Sequence, residues 1–302
     1  LGINHASGSN LMCLVGYASI TTTSTIGNVV TTTSNLCLLP STNNMYNIFV
    51  TSGSLSVARY NESNTYQDMG YVYNSATTEL LTASFVASNL VYANGYFYTI
   101  YQDASQCYII GFEPPTAAAS IYVTPYSIPN TSYGLTYYSL TNLMYFLTVD
   151  AELYSYDVSD NSIQSIVQLS NVINCTSPLS LNDQGIFYGM GEIDDSEYGT
   201  FSFSLVPSNL TITSAVPTTN SIQVFFDVDT FDAYPVTSIQ YSTNGGNEGW
   251  FNTTSSVSSP LTIVGLHADT TYTIVLRATN EIGTSSSSNA VVVKTLVPIA
   301  NI

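Results

Sequence analysis

Positive charge is the first thing this chain lacks. Of 302 residues only Arg59, Arg277 and Lys294 are basic, against 20 acidic ones, and the formal net charge is −17. Three cations cannot neutralise a run of phosphates, which excludes nucleic acid as a partner. The same scarcity argues against docking on anionic lipid. Charge of either sign is rare: Asp, Glu, Lys and Arg make up 8% of residues, where an ordinary soluble domain carries about 25%. Long apolar runs are missing as well. Stretches such as NAVVVKTLVPIANI are shorter and more interrupted than the roughly 20 residues that a membrane span requires, so no membrane insertion is expected. Histidine is confined to His5 and His267, and neither is well placed for a Ser-His-Asp or Cys-His arrangement. No G-x-S-x-G, HExxH, phosphate-loop or dinucleotide-binding fingerprint occurs. No cofactor is expected beyond a calcium ion at an acidic loop described below.

What is present is apolar and hydroxylated. Hydrophobic residues reach 45%, enough to build real cores and too many for a disordered tail. Serine and threonine account for 79 of the 302 residues, and tyrosine for 24. An uncharged hydroxyl and amide surface suits a protein that packs densely or carries glycans, and suits a crowded cytosol badly. The chain begins on Leu1 rather than Met, which fits a processed mature form or a fragment, and the former implies secretion. An extracellular, cell-surface location is therefore expected.

The cysteines, Cys13, Cys37, Cys107 and Cys175, fall in no CxxC pattern, and with two histidines in the chain zinc binding is not indicated. In an oxidising compartment they are expected to form two disulfides; three connectivities exist, and Cys13–Cys37 with Cys107–Cys175 is preferred. Buried thiols are the alternative. Five N-x-Ser/Thr sequons stand at Asn61, Asn130, Asn174, Asn209 and Asn252. In a chain so rich in Asn, Ser and Thr that number is no more than random order gives, so the sequons are sites to check and not evidence of secretion. Asn252, in the turn-like GWFNTTSS, is the best placed of them.

Helical periodicity is nearly absent, and short blocks of Tyr, Val, Ile, Phe and Thr separated by Gly, Asn, Ser or Pro run throughout, so the chain is expected to be all-β. Residues 1–206 carry a weak repeat. The blocks MYNIFV, YFYTIY, MYFLTV and IFYGMG begin at residues 45, 96, 144 and 186. Each is followed by a second strand, LSVARYN, CYIIGFE, ELYSYDV and GTFSFSL in turn, and often by a third, as in MGYVYNS, ASIYVTP and IQSIVQL. The N-terminal LMCLVGYASI is a further copy or the strand that closes a ring. A period of about 40–50 residues with several strands per unit is the pattern of β-propeller blades, whose two apolar faces force neighbours to stack. The resemblance implies four to five blades, although WD, kelch and calcium-repeat motifs are absent. A β-sandwich, or a pair of them, is the alternative for this part. A sialidase-type propeller is excluded, since that family grips its substrate with several arginines and Arg59 stands alone here.

A boundary is expected at SLVPSNL, 204–210, where a proline interrupts two strand-like runs. Residues 207–297 offer seven candidate strands, the number of an immunoglobulin-like sandwich, and 298–302 form a C-terminal tail. In TYTIVLRATN, Tyr272, Ile274, Leu276 and Ala278 alternate onto one face. The stretch GLHADTTYTIVLRATNEIG resembles the fibronectin type III domain through Leu266, Thr270, Tyr272, Leu276, Ala278, Asn280 and Gly283. The resemblance implies that Tyr272 is a corner tyrosine with its hydroxyl tied to upstream backbone. Ala268 stands where that family usually has proline, and Phe226 where its B-strand tryptophan is usual. The turn Glu281-Ile282-Gly283-Thr284 holds no RGD tripeptide, so integrin-type adhesion loses support.

Chemistry has few places to sit. The loop GEIDDSE offers Glu192, Asp194, Asp195 and Glu197 as oxygen ligands for calcium, as paired carboxylates for glycoside hydrolysis, or as a plain solvated loop. Asp227, Asp229 and Asp232 make a second acidic loop. Tyrosine stacks on sugars and makes rigid protein contacts, but it also fills half-buried strand faces. The expectation is a non-enzymatic extracellular structural or adhesive protein, a self-assembling subunit of a surface filament or coat, whose partners are itself or other extracellular proteins and glycans. The alternatives are a glycan- or protein-binding propeller with a sandwich spacer and, further off, a glycosidase.

Overall fold

A computed structural model describes residues 36–39, 41–61, 65–86, 88, 90–170, 172–175, 179–182, 185–193, 197–231, 233–247, 249–253 and 257–298, and the regular elements among them are all β-strands. The chain divides into two compact units between Ser202 and Phe203.

In the first unit, strands follow one another into successive sheets. The first sheet opens with β1 (Leu36–Leu39), β2 (Asn44–Thr51), β3 (Ser54–Tyr60) and β4 (Tyr66–Asn74), each antiparallel to the last. The second is built on β5 (Phe85–Val86), β6 (Val91–Ala93), β7 (Tyr96–Gln102) and β8 (Cys107–Phe112), with β5 and β6 both paired to β7. Then the order breaks. β9 (Ile121–Val123) returns to the first sheet and pairs in parallel with β4, while β10 (Tyr126–Ile128) completes the second beside β8. The third sheet is the meander β11 (Ser132–Tyr138), β12 (Leu143–Thr148), β13 (Glu152–Asp157), β14 (Ser162–Gln168). In the fourth, β15 (Asn174–Cys175), β16 (Ser180–Leu181) and β18 (Glu197–Ser204) all pair with β17 (Ile186–Ile193).

The sequence blocks at 45, 96, 144 and 186 are therefore β2, β7, β12 and β17, one inner strand in each of four sheets. ASIYVTP departs from expectation: its strand, β9, belongs to the preceding sheet and not to its own repeat. LMCLVGYASI lies outside the described residues.

Strict alternation makes the inner strands apolar on both faces, because successive side chains of a strand point to opposite sides. On β7 and β8, Phe97, Tyr101, Ile110 and Phe112 join the core shared with the first sheet, beside Tyr46, Ile48 and Val57. Tyr98, Ile100, Cys107 and Ile109 face the other way and pack with Leu135, Met144, Phe146 and Tyr156 of the third sheet. Tyr145 of β12 in turn meets Phe187 of β17 edge-on, with ring centroids 5.4 Å apart. Each sheet thus buries the face its neighbour leaves open.

The second unit is a two-sheet sandwich. β19 (Ser208–Pro217), β20 (Ser221–Asp229) and β23 (Leu261–Val264) form one sheet; β22 (Phe251–Asn252), β21 (Ser238–Ser242), β24 (Thr271–Thr279) and β25 (Val291–Lys294) form the other, in that order. Ile222, Val224 and Phe226 from the first sheet close on Ile239, Ile274, Leu276 and Ala278 from the second, with Tyr272 packed against them. The shared face of Tyr272, Ile274, Leu276 and Ala278 is thus turned to the core.

Two polar anchors complete the sandwich. The Tyr272 hydroxyl accepts the backbone N–H of His267 at 2.9 Å. Buried Asn280 donates through Nδ2 to Leu205 O at 2.7 Å and Tyr234 O at 3.0 Å, and its Oδ1 accepts the N–H groups of Ile282 and Gly283. A buried amide with both ends satisfied fixes the turn after β24 without leaving an unpaired group.

Candidate functional site

The expected sites are dispersed. Glu192, at the end of β17, accepts a hydrogen bond from Asn174 Nδ2 at 2.7 Å, and Glu197 begins β18 exposed to solvent. Asp194 and Asp195 lie outside the described residues, and among the described residues no three His, Cys, Asp or Glu side chains gather into a metal-binding group. In the second acidic loop Asp229 accepts from Asn209 Nδ2 at 2.7 Å, and Asp232 is outside the described residues. His267 is exposed and engaged through its backbone, and His5 is not described.

The preferred Cys107–Cys175 disulfide is not seen in the structure, where both residues are buried. Topology accounts for it. Cys107 lies on β8 in the second sheet and Cys175 on β15 in the fourth, with the third sheet following between them along the chain. Cys107 Sγ instead approaches Gln102 Oε1 at 3.8 Å on the neighbouring strand. Cys13, the other half of the preferred Cys13–Cys37 pair, is outside the described residues.

The five sequon asparagines differ in what their amides already do. Asn174 is half-buried and donates to Glu192; Asn209 is exposed and donates to Asp229. Asn130 and Asn252 are exposed and use Oδ1 as acceptor, from Cys107 N at 3.2 Å and Gln240 Nε2 at 2.7 Å. Asn61 is exposed and accepts from Thr65 N at 2.8 Å.

A concave site does exist, in the first unit, where the chain crosses from β8 back to β9. The crossing segment reads EPPTAAAS, 113–120. With Tyr96, Gly111, Phe112, Ile121 and Tyr122 it lines a cleft of about 580 Å³, within the range of about 300–1,000 Å³ for small-molecule sites.

The segment is tied down from below. Tyr46, buried in the first core, donates its hydroxyl to Pro115 O at 3.1 Å, and its ring lies 4.9 Å from that of Phe97. Arg59 donates to Thr116 O at 3.2 Å and to Gln67 Oε1. Ala119 N donates to Met69 O at 3.0 Å, and Ala119 O sits where a Cβ on Gly70 would fall, 2.1 Å away. Gly70 has φ +115°, a conformation that side chains rarely adopt, so glycine serves here both for its backbone freedom and for its missing Cβ.

Two tyrosines and one carboxylate stand among the residues that line the cleft. Tyr96, 40% exposed, donates its hydroxyl to Glu113 Oε1 at 3.1 Å. That bond, followed by the charge of the carboxylate, raises the Tyr96 phenol above its ordinary pKa. Tyr122 is 55% exposed. It stands opposite Tyr73 in the parallel β4–β9 register, the two rings 5.5 Å apart and 32° from coplanar. Glu113 is the only carboxylate among the residues lining the cleft.

No protein-family model and no curated protein matches the chain. Similar solved structures include the sixth fibronectin type III domain of human fibronectin type III domain containing protein 3, at 18% identity and TM-score 0.27, covering 32% of this chain and 92% of that one. A protein from Lactobacillus plantarum is 8% identical with TM-score 0.33, over 84% of this chain and 82% of that one. A bifunctional GH43-CE protein of Bacteroides eggerthii is 11% identical with TM-score 0.36, over 78% of this chain and 34% of that one. At such identities and scores the neighbours carry no argument about activity.

None of Tyr96, Glu113 and Tyr122 stands out from the sequence as a site residue. The one signal that touches them is the abundance of tyrosine.

Proposed function

We propose that the chain is a non-enzymatic structural or adhesive protein of the cell exterior, with a propeller-like stack of sheets followed by a fibronectin type III module. The observation that carries the functional reading is the commitment of the three cations. Arg59 holds the cleft segment, Arg277 donates to Gln240 and lies 4.3 Å over the Trp250 ring, and Lys294 pairs with Asp269 at 2.5 Å. Each of the three Lys and Arg side chains is thus engaged within the chain, and hydroxyls, amides and tyrosines remain for recognition, as in a protein that works through packing and neutral contacts.

The module assignment draws support from the three- and four-stranded sheets, in which β22 lies beside β21, and from the Tyr272–His267 bond. The propeller-like assignment draws support from four successive sheets, of which the second and third are packed on both faces. Self-association is part of the proposal, with the chain acting as a repeating subunit. Negative-stain imaging of purified protein tests it. Regular polymers are the expected outcome, and particles that stay monomeric at high concentration overturn it. The glycan-binding alternative is favoured by a separate observation, the tyrosine-lined cleft.

A further inference from the structure

We propose that the cleft between Tyr96, Glu113 and Tyr122 binds a neutral oligosaccharide. The inference deepens the adhesive reading and rests on it in one respect, that the sugar is held and not cleaved.

The lining sets the ligand class by elimination. Anions are rejected, because the chain carries a net charge of −17 and Glu113 faces the cleft. An extended peptide adding to a sheet edge needs free backbone donors and acceptors. Here Pro114 and Pro115 have no N–H, and Pro115 O, Thr116 O and Ala119 N are already bonded to Tyr46, Arg59 and Met69. A compact organic cation calls for rings surrounding it. Here the cleft instead offers the exposed ring of Tyr122, 55% accessible, which packs tilted against Tyr73, a residue outside the lining.

An exposed ring beside a carboxylate is what a pyranose requires. The sugar's C–H face packs on the aromatic face, and its hydroxyls donate to an acceptor at the edge. Tyr122 supplies the face. Glu113 Oε1 already accepts from Tyr96, and its second oxygen adds an acceptor held in a fixed orientation by that bond. Thr116 and Ser120 line the same cleft. Hydrolysis by the usual route takes two carboxylates flanking the scissile bond, and the lining contributes one.

The test is calorimetric titration of the full chain with neutral β-linked gluco-, manno- and galacto-hexasaccharides, with polygalacturonate and tetramethylammonium as anionic and cationic comparators. At least one neutral hexasaccharide binds saturably and neither comparator competes. Tyr122→Ala weakens binding by about tenfold while Tyr122→Phe retains it, from the size of an aromatic stacking contribution. Glu113→Gln weakens it by roughly threefold to tenfold through loss of a charge-assisted acceptor. Both side chains lie on the surface, and unchanged thermal melting of the variants shows that they fold. Absence of binding by every neutral hexasaccharide overturns the proposal, as does binding indifferent to Tyr122→Ala and Glu113→Gln, or competition by tetramethylammonium. Release of shorter sugars from a bound hexasaccharide overturns the non-enzymatic reading, and with it the statement that the sugar is held and not cleaved, while the binding site itself stands.

Discussion

Tyr272 and His267 are joined by a 2.9 Å hydrogen bond from backbone N–H to phenol oxygen, across the corner that leads into β24. Tyr272→Phe keeps the ring against the core and removes the acceptor. His267 is exposed, so water takes the place of the lost partner and the cost falls near the lower end for a neutral hydrogen bond, about 0.5–1 kcal/mol. Urea unfolding followed by the fluorescence of Trp250 reads it directly, because the chain's one tryptophan lies in the sandwich. A midpoint identical to that of the parent chain shows that the corner bond is dispensable.

Gly70→Ala sets a Cβ against Ala119 O at a backbone conformation suited to glycine. The loss exceeds about 1 kcal/mol, since the obstructing atom is backbone and cannot swing aside. The melting temperature falls, and saccharide binding weakens with it, because the displaced carbonyl belongs to the cleft segment. A variant that melts and binds as the parent does would falsify the close approach.

Alkaline pH unfolds the stacked sheets. Tyr98, Tyr101, Tyr138 and Tyr156 are buried, and burial raises the pKa of each phenol above its ordinary value. In the unfolded chain these groups ionise near pH 10. There the unfolded state holds fewer protons than the folded one, so the stability present below pH 10 is lost as pH rises above it. Tyrosinate absorbance rises in two phases, exposed rings first and buried rings together with loss of the strand circular-dichroism signal. A single smooth phase with structure intact contradicts this.

Peptide mapping under non-reducing conditions finds no Cys107–Cys175 cross-link. Recovery of that linked pair from natively folded protein would mean that the second and fourth sheets are arranged otherwise.

Expression through a eukaryotic secretory route separates the sequons. Glycopeptide mass spectrometry finds greater occupancy at Asn130 and Asn252, exposed with the amide oxygen engaged, than at Asn174, whose half-buried amide nitrogen donates to Glu192. Equal occupancy at Asn174 would show that the Glu192 bond does not protect it.

Local pattern carried most of the strand positions. MYNIFV, YFYTIY and MYFLTV became inner strands because their apolar residues alternate onto two buried faces, and IFYGMG became one with a single buried face, Tyr188 and Met190 being exposed. Tyr272 was legible because a corner tyrosine is set by residues a few positions away. The cleft was not. Its parts come from β7, the 113–120 segment and β9, and they meet only because β9 pairs with a strand 49 positions back, as Tyr122 with Tyr73. Periodicity identifies a strand and its faces but says nothing about which distant edge receives it. The Cys107–Cys175 preference failed for a related reason. Spacing along the chain cannot tell which sheet a cysteine ends in, and each of Cys37, Cys107 and Cys175 occupies a different one.

The return of β9 to β4 also orders events at the ribosome. β1 to β4 emerge before β9, yet their sheet waits for this strand until residue 123 has been made, after most of the second sheet. Until then β4 presents a bare edge with Val72 still to be covered, open to pairing with any other nascent chain. The cleft segment, which leads directly into β9, takes shape in the same step that seals this edge.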